Sequence, residues 1–254
     1  MHAQRRRGKN GYTAVMPGTL LLLHGWGGSK ESFTELAQEL QNSGLTLLIP
    51  DLPGFGGEPD PPRPWTVDDY ADWVEAWLAK HPHKEPLWVL GHSHGGRIAI
   101  KLAVRGTLPI ERLFLCAAAG IRHARHWKRL IGLLLAKTGK FLLAIPGLRR
   151  LQPLGRAFLY KLVRVHDYER ASPVLQQTLI LVTREDLRDL LPRIALPTDI
   201  FWGSDDRMTP VADGRMMHAM IPGSRIHVYP GVRHRVHRDK ASAIAEILRS
   251  HLQP

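Results

Sequence analysis

The sequence has a single cysteine, Cys116, and no apolar run long enough to span a membrane. One cysteine excludes an internal disulfide framework and suits a reducing compartment. The first apolar stretch, Leu20–Leu23, is too short for the core of a signal peptide, and no small-residue cleavage pattern follows it. The most apolar window, Leu130–Ile145, is interrupted by lysines and a glycine and falls short of the ~20 residues that a membrane span needs. These absences predict a soluble, cytoplasmic protein.

Acidic residues are also scarce, because 23 Asp and Glu stand against 35 Lys and Arg, for a formal net charge of +12. The excess is concentrated in residues 121–170, where twelve basic residues outnumber the two acids, Asp167 and Glu169. Such a field favours acidic substrates, anionic membrane surfaces or nucleic acid. No nucleic-acid-binding motif accompanies the charge, so nucleic acid is the least favoured partner. The favoured interpretation is a solvated outer face of a helical segment, with contact to a membrane surface as a weaker alternative.

Short apolar runs alternate with helical patterns along most of the chain. The runs are continuous, as expected for strands that are buried on both faces. They are Leu20–His24, Leu45–Ile49, Leu87–Leu90, Leu113–Ala117, Thr198–Trp202 and Ile226–Tyr229. The amphipathic segments between and after them are Ser32–Asn42, Val67–Lys80, Gly96–Arg105, Val211–Met220 and Lys240–Leu252. This order predicts an α/β fold with a doubly wound, mostly parallel sheet of about six strands or more and helices on both faces. The first helix is expected to begin at Ser32, with Glu35 completing a capping box.

One long segment interrupts this alternation. From about Ile121 to Ile194 the sequence has a helical pattern rich in Leu, Phe and Arg, without a good strand signal. It predicts a helical lid inserted between two core strands, whose apolar residues either pack on the sheet edge or roof a pocket at the carboxyl ends of the strands. The predicted organisation is a core in two parts, residues 1–120 and 195–254, with the lid over residues 121–194.

A G-x-S-x-G motif stands between a predicted strand and a predicted helix. Gly91, Ser93 and Gly95 follow the run Leu87–Leu90 and precede the helical segment Gly96–Arg105. In this context the serine is expected on a sharp, strained turn that exposes its hydroxyl above the sheet, and the glycines avoid Cβ collisions in that turn. The positive end of the following helix faces any negative charge that develops there. The motif therefore predicts Ser93 as a nucleophile.

Further motifs in chain order make the sequence resemble the α/β-hydrolase family, in its serine carboxylesterase-like branch. Residues 24–28 (His-Gly-Trp-Gly-Gly) resemble the oxyanion-hole turn of that family, and residues 51–56 (Asp-Leu-Pro-Gly-Phe-Gly) its D-x-P-G-x-G loop. Residues 203–210, from Gly203 to Pro210, follow a late strand as the family's acid loop does, and residues 231–234 follow the last strand as its histidine loop does. The resemblance extends from Leu20 to the carboxyl terminus apart from the insertion, and the order Ser, Asp, His is the one that the family uses.

The resemblance implies a base and an acid for Ser93, because a serine hydroxyl needs an oriented base to attack. His234 is the implied base, and Asp239 stands five positions after it as an acidic residue does in the family. Arg233 departs from the family pattern, which has glycine there, and His237 is the rival base. For the acid, the family spacing from Gly203 and to Pro210 selects Asp206 over its neighbour Asp205.

The resemblance also implies an oxyanion hole made of the backbone N–H groups of Trp26 and His94. The side chains of Trp26 and His92 are expected in the substrate pocket. No cofactor is expected, since the sequence lacks a Walker loop and a dinucleotide-binding glycine motif. The His123/His126 and His234/His237 pairs have a spacing that suits a metal, but no cysteine or carboxylate cluster supports either pair, so no metal is predicted.

The leading functional hypothesis is hydrolysis of carboxylic esters of small to medium acyl chain, with a small-molecule ester as the partner. The same machinery serves lactones, thioesters, amides and carbon–carbon bonds of ring-cleavage products, and these alternatives stay open. A second hypothesis, from a different class, is a non-catalytic small-molecule receptor on the same fold. Arg233, beside the implied base, is the feature that favours this second hypothesis.

Overall fold

The computed structural model of this protein describes residues 18–123 and 171–252. Its centre is a six-stranded, entirely parallel sheet with the strand order β2-β1-β3-β4-β5-β6. The strands are β1 (Gly18–Leu23), β2 (Leu45–Leu48), β3 (Leu87–His92), β4 (Ile110–Cys116), β5 (Thr198–Gly203) and β6 (Arg225–Tyr229). Every residue of β1, β3 and β5 is buried, as the continuous apolar runs predict.

Helices connect the strands of the described chain. They are α1 (Thr34–Glu39), α2 (Val67–Ala79), α3 (His94–Arg105), α4 (Pro173–Arg184), α5 (Val211–Met220), α6 (Val236–Asp239) and α7 (Ala241–Ser250), with 3₁₀ turns at Lys30–Phe33 and Arg188–Arg193. Helices α1, α6 and α7 contact one another, whereas α2 contacts α3, and both α3 and α5 contact the second 3₁₀ turn. These two groups cover the two faces of the sheet, which confirms the predicted doubly wound α/β architecture.

The start of the first helical segment differs from the expectation. The segment begins with the 3₁₀ turn Lys30–Phe33, and its cap is Ser29 rather than Ser32. The Ser29 backbone N–H donates to Ser32 Oγ at 3.3 Å, so Ser32 ends the capping box, at position N3, instead of starting it. Glu35 is not part of the capping box and forms an ion pair with Arg238 of α6 instead. The predicted capping box at Ser32 is therefore wrong by three residues.

The strand order places a topological switch point at the carboxyl ends of β1 and β3. The chain runs from β1 to the edge strand β2 and then returns to the other side of β1 to form β3. In open parallel sheets, ligands bind in the crevice outside such a point, where the loops diverge. The loops after β1 and β3 are the ones that carry the His24-Gly25-Trp26 turn and Ser93.

The predicted lid falls largely on residues 124–170, which lie outside the described residues, as does most of the basic stretch 121–170. Within residues 171–194 the chain forms α4 and the second 3₁₀ turn, and no strand. Glu185 is one of the residues that join this part to the core: its carbonyl oxygen accepts from Arg97 Nη1 of α3 at 2.9 Å, and its carboxylate forms an ion pair with Lys101 at 2.5 Å. No helix among the described residues has the length and apolarity of a membrane span.

Candidate active site

Ser93 is the single residue between β3 and α3, and its backbone has a conformation that non-glycine residues rarely adopt. Its φ is 52° and its ψ is −110°. Backbone hydrogen bonds hold it there, because its N–H donates to the Cys116 carbonyl oxygen at 3.1 Å. Its carbonyl oxygen accepts from the N–H groups of Gly96 (3.0 Å) and Ala119 (2.9 Å). A non-glycine residue at positive φ persists only where its surroundings over-determine it, and such residues cluster at functional sites.

The tightness of the turn explains the glycine at position 95. A Cβ on Gly95 would collide with the backbone carbonyl of Leu23 at the end of β1. The Gly95 N–H also donates to the His24 carbonyl oxygen at 3.0 Å. The turn after β3 is therefore packed directly onto the turn after β1, with no room for a side chain between them.

The turn after β1 lies against Ser93 and is held by His24. A Cβ placed on Gly25 would be 3.1 Å from the Ser93 Cβ, which shows how closely the two turns approach. The His24 ring is fully buried; its Nδ1–H donates to the Gly25 carbonyl oxygen at 2.8 Å and its Nε2 accepts from the Leu52 N–H at 2.9 Å. Burial lowers the pKa of His24, consistent with this neutral, doubly hydrogen-bonded ring.

The loop after β2 is fixed by a buried carboxylate. Asp51 accepts hydrogen bonds from the Lys30 N–H at 2.7 Å and the Gly57 N–H at 3.0 Å. Burial alone would raise the pKa of Asp51, but these two donors outweigh it and the pKa is lowered. The carboxylate thus joins the D-x-P-G-x-G loop to the segment that follows the His24 turn.

Asp206 and His234 meet across the carboxyl ends of β5 and β6. The His234 Nδ1 lies 2.7 Å from Asp206 Oδ2, and the Asp206 side chain is fully buried. The other carboxylate oxygen accepts from the N–H groups of Met208 (2.8 Å) and Thr209 (3.1 Å). Burial acts to raise the pKa of Asp206, but the hydrogen bonds and the neighbouring His234 outweigh it, so that the pKa is lowered and the carboxylate stays ionised.

Thr209 is a member of this cluster that sequence reasoning missed. Its Oγ1 lies 2.8 Å from Asp206 Oδ2, 3.2 Å from His234 Nδ1 and 3.1 Å from the Ala117 carbonyl oxygen at the end of β4. Because the hydroxyl has a single proton, it donates to one of these two oxygens at a time, and the shorter distance favours the Asp206 carboxylate. Its position three residues after Asp206, in the same loop, was the only signal in the sequence.

Neither of the rivals, Asp205 and His237, takes part in the contact between Asp206 and His234. Asp205 is exposed, and its carboxylate accepts from the Ser204 hydroxyl at 2.7 Å. His237 is 2% exposed on α6, with its ring against Phe33 at 5.2 Å between centroids. Asp239, five positions after His234, is exposed at the end of the same helix.

His92 connects the turn of Ser93 to the loop of His234. It is 7% exposed, and its Nε2–H donates to the His234 carbonyl oxygen at 3.0 Å. Its ring also lies 4.9 Å from that of His234 and 3.9 Å from that of His237, between centroids. Burial, together with these two histidines, lowers the pKa of His92 well below its usual range. His92 thus contacts the His234 loop, and its predicted place in the substrate pocket stays a prediction.

Trp26 and His94, the two predicted oxyanion-hole residues, lie in contact with each other. Their rings meet edge to face with centroids 5.4 Å apart. His94 is the first residue of α3, and N–H groups in the first turn of a helix have no intrahelical acceptor. Trp26 is half-buried, whereas the His94 ring is 3% exposed. The geometry leaves the amide end of α3 beside the turn after β1.

Other features of the described residues bear on cofactors and on Ser93 itself. No group of three or more metal-ligating side chains occurs in residues 18–123 and 171–252. His123 contacts Asp213 at 2.6 Å through Nε2, and His126 lies outside the described residues. Over these same ranges Ser93 Oγ makes no hydrogen bond. Hydrogen bonds of catalytic groups are often long in unliganded sites and shorten when substrate binds.

Comparison with known proteins adds a family match. A model of the alpha/beta hydrolase family matches residues 20–247. The chain is 29% identical over 245 residues to a pimeloyl-[acyl-carrier protein] methyl ester esterase of Neisseria meningitidis serogroup C, covering 91% of this chain and 92% of that one. It is 26% identical over 229 residues to lipase 3 of a Moraxella species, covering 85% and 71%. Among solved structures, an esterase from Exiguobacterium antarcticum superimposes with a TM-score of 0.70 at 25% identity, covering 92% and 91%.

Proposed function

Because the chain belongs to the alpha/beta hydrolase family, we propose that it is a serine hydrolase that cleaves carboxylic esters of small to medium acyl chain. The observation that carries the proposal is the 2.7 Å contact between His234 Nδ1 and the buried carboxylate of Asp206. The pair stands at the same end of the sheet as the strained Ser93. Relatives named as esterases and lipases support an ester as the bond that is cleaved.

In this proposal Ser93 Oγ attacks the ester carbonyl carbon while His234 Nε2 takes the hydroxyl proton. Asp206 holds the Nδ1–H side of the ring, so that Nε2 is the free base, and stabilises the charged imidazolium that forms. The tetrahedral intermediate collapses when His234 returns the proton to the leaving alkoxide, which departs as an alcohol. A water molecule, deprotonated by His234, then attacks the acyl-enzyme, and the acid is released with the proton restored to Ser93.

The oxyanion of each tetrahedral intermediate is assigned to the N–H groups of Trp26 and His94. The close approach of the two turns, set by Gly25 and Gly95, supports this assignment. Loss of one such donor typically costs about 3 kcal/mol of transition-state stabilisation. Because both donors belong to the backbone, substitutions of these two side chains are expected to act through geometry rather than by removing a donor.

The segment 121–194 is proposed to roof the substrate pocket. Its described part supports this, because α4 lies over the loops at the carboxyl end of β2 and before α2. The Thr178 hydroxyl of α4 accepts from the Trp65 N–H at 3.0 Å. The Leu175 side chain packs so close to Gly54 that a Cβ there would collide with it. An apolar roof of this kind favours apolar acyl groups.

The proposal is tested with a fluorophosphonate probe and a panel of p-nitrophenyl esters of rising chain length. Wild-type protein should be labelled and should hydrolyse the shorter esters, and Ser93→Ala should lose both properties while remaining folded. Ser242→Ala, an exposed serine on α7, is the matched control and should behave as wild type. Well-folded wild-type protein that is neither labelled nor active on any ester would refute the proposal.

Two alternatives are separated by the same experiment. Labelling at Ser93 without ester hydrolysis favours lactone or carbon–carbon bond cleavage by the same residues, and lactones are therefore included in the panel. Absence of labelling favours a small-molecule receptor on this fold. The exposed Arg233 beside His234 is the feature that favours the receptor hypothesis. The variant Arg233→Gly tests whether this residue suppresses the reaction.

A further inference from the structure

The His94 side chain is a buried imidazole whose two ring nitrogens have no hydrogen-bond partner in the described chain. It is 3% exposed. Burial, with a smaller contribution from nearby Arg97, lowers the pKa of His94 to about 3, so the ring is neutral near pH 7. A neutral imidazole offers one donor and one acceptor. Leaving such groups unsatisfied in a protein interior is costly, and each case calls for a physical explanation.

The surroundings of the ring are aromatic. His94 lies edge to face with Trp26 (5.4 Å between centroids) and with Tyr70 (4.8 Å), and Trp26 in turn contacts Phe55 at 4.9 Å. The Tyr70 hydroxyl is already used, since it donates to the Pro53 carbonyl oxygen at 3.2 Å. The imidazole is therefore a polar edge within an aromatic wall.

This wall is next to the proposed point of attack. His94 directly follows Ser93 in the chain, and Trp26 belongs to the turn after β1. That turn packs so closely on Ser93 that a Cβ added at Gly25 would lie 3.1 Å from the Ser93 Cβ. An acyl chain bonded to Ser93 would extend from this point. A packing role alone does not explain an imidazole here, because a methionine or leucine fills similar space without two unsatisfied polar atoms.

We propose that the His94 imidazole binds an uncharged oxygen on the acyl chain of the substrate. The preferred substrates are then esters whose acyl chain carries a hydroxyl or ether oxygen, rather than plain hydrocarbon chains. This inference rests on the proposed ester hydrolysis and names its substrate class. The neutral ring provides a hydrogen bond but no net charge, so a carboxylate at the same place gains no ion pair.

The test uses pairs of p-nitrophenyl esters of equal chain length, one a hydrocarbon and the other with one methylene replaced by oxygen. The oxygen is moved along the chain from pair to pair. For one position, the ratio of kcat/KM for the oxygenated ester to that for its hydrocarbon partner should be about three- to tenfold higher in wild type than in His94→Met. Comparing the two proteins cancels the intrinsic reactivity of each ester.

His94→Gln keeps a donor and an acceptor and should retain an intermediate preference. If His94→Met folds poorly, the comparison is made instead between His94→Gln, which keeps the polar atoms, and His94→Leu, which lacks them. Equal ratios in all variants at every oxygen position would overturn the inference. A lower melting temperature in His94→Met combined with an unchanged ratio would also overturn it, because the ring would then be satisfied by ordered solvent.

Failure of the proposed function gives a different result. If wild type hydrolyses neither ester of any pair, ester hydrolysis itself is refuted and the ratios are undefined. If wild type hydrolyses both esters of every pair in the ratio found for His94→Met, ester hydrolysis stands and only the role of His94 fails.

Discussion

His92 donates a hydrogen bond from Nε2 to the backbone carbonyl oxygen of His234 at 3.0 Å, although 142 positions separate the two residues in the sequence. The bond joins the loop after β3 to the loop after β6. A base must be held within a few tenths of an ångström of its productive position relative to the nucleophile. This hydrogen bond acts on the backbone of His234, the proposed base, and we expect it to contribute to that precision.

Removing this bond should lower activity without abolishing it. His92→Phe keeps a ring of similar shape but has no N–H, and we expect kcat to fall roughly tenfold, since a misplacement of about 1 Å costs on the order of 10²-fold. KM should change little, because substrate does not touch the bond. Steady-state kinetics on the best p-nitrophenyl ester measure both constants.

His83→Phe provides the control for that substitution. The His83 ring also bonds a backbone carbonyl, that of His81 at 3.1 Å, but it does so in the loop before β3, away from the carboxyl ends of the strands. Its kinetics should match wild type. Equal losses in the two variants would show that the His92 bond has no particular role in positioning the base.

Asp206→Asn should lower kcat by roughly 10⁴-fold, as the corresponding change does in a serine protease. An amide that donates to His234 Nδ1 forces the proton onto Nε2, which then cannot accept the proton of Ser93. Asp205→Asn is the matched control, because its carboxylate is exposed and bonds the Ser204 hydroxyl. It should keep activity within about twofold. If the Asp205 variant were as impaired as the Asp206 variant, the assignment of Asp206 as the acid would be wrong.

Gly95→Ala should prevent the turn at Ser93 from forming. The added methyl group meets the backbone of Leu23, and backbone atoms at the end of a central strand cannot move aside cheaply. We expect a marked drop in melting temperature or loss of soluble protein. Gly57→Ala adds the same methyl group at an exposed position where the nearest atom, Asp51 Oδ2, is 3.6 Å away. Thermal unfolding should show that this second variant stays within a few degrees of wild type.

Buried histidines should make the protein unstable in acid. Burial lowers the pKa of both His94 and His237 from 6.5 to about 3. Between these values the unfolded chain binds protons that the folded protein excludes, so the stabilising effect of the neutral rings is complete above pH 6.5 and is lost as the pH falls. Each such ring should contribute a slope of about 1.4 kcal/mol per pH unit to the free energy of unfolding.

The slope is measured by urea unfolding at a series of pH values. His237→Phe removes one proton-binding site and should flatten the slope by one such contribution. Phe33→Leu alters packing against the same ring without changing the number of protons bound. It should lower stability by a similar amount at every pH. If His237→Phe leaves the slope as it is in wild type, the ring is not excluded from protonation in the folded state.

The sheet could be predicted from the sequence because its strands are buried on both faces, and such burial requires continuous apolar runs. All six predicted runs overlap the observed strands, and the helix predicted over Val211–Met220 has the observed bounds. Helix starts were harder to place. Ser29 and Ser32 are both capable caps, and the choice between them depends on backbone angles that the residue types do not specify.

The residues of the site were harder to predict from the sequence where their roles depend on contacts between different loops. The motif pattern indicated Ser93, Asp206 and His234, and the structure places the last two in contact. It could not indicate that Thr209 supports the carboxylate, that His92 contacts the His234 backbone, or that the His94 ring is enclosed by Trp26 and Tyr70. Each of these depends on packing between residues that are distant in sequence or on rotamers chosen within a turn.

The strands on either side of the insertion, β4 and β5, are direct neighbours in the sheet, with Cys116 opposite Phe201. The Leu187 N–H also donates to the Gly120 carbonyl oxygen at 2.8 Å, so the chain returns to the carboxyl end of β4 before it continues to β5. Exchange of the residues between Gly120 and Leu187 for another segment therefore need not alter the register of the strands that carry Ser93, Asp206 and His234. We therefore expect the insertion to set part of the substrate range independently of the residues proposed for the reaction. A chimaera that carries a foreign insertion between these strands would show this separation if it retained labelling at Ser93 and acquired the ester preference of the donor.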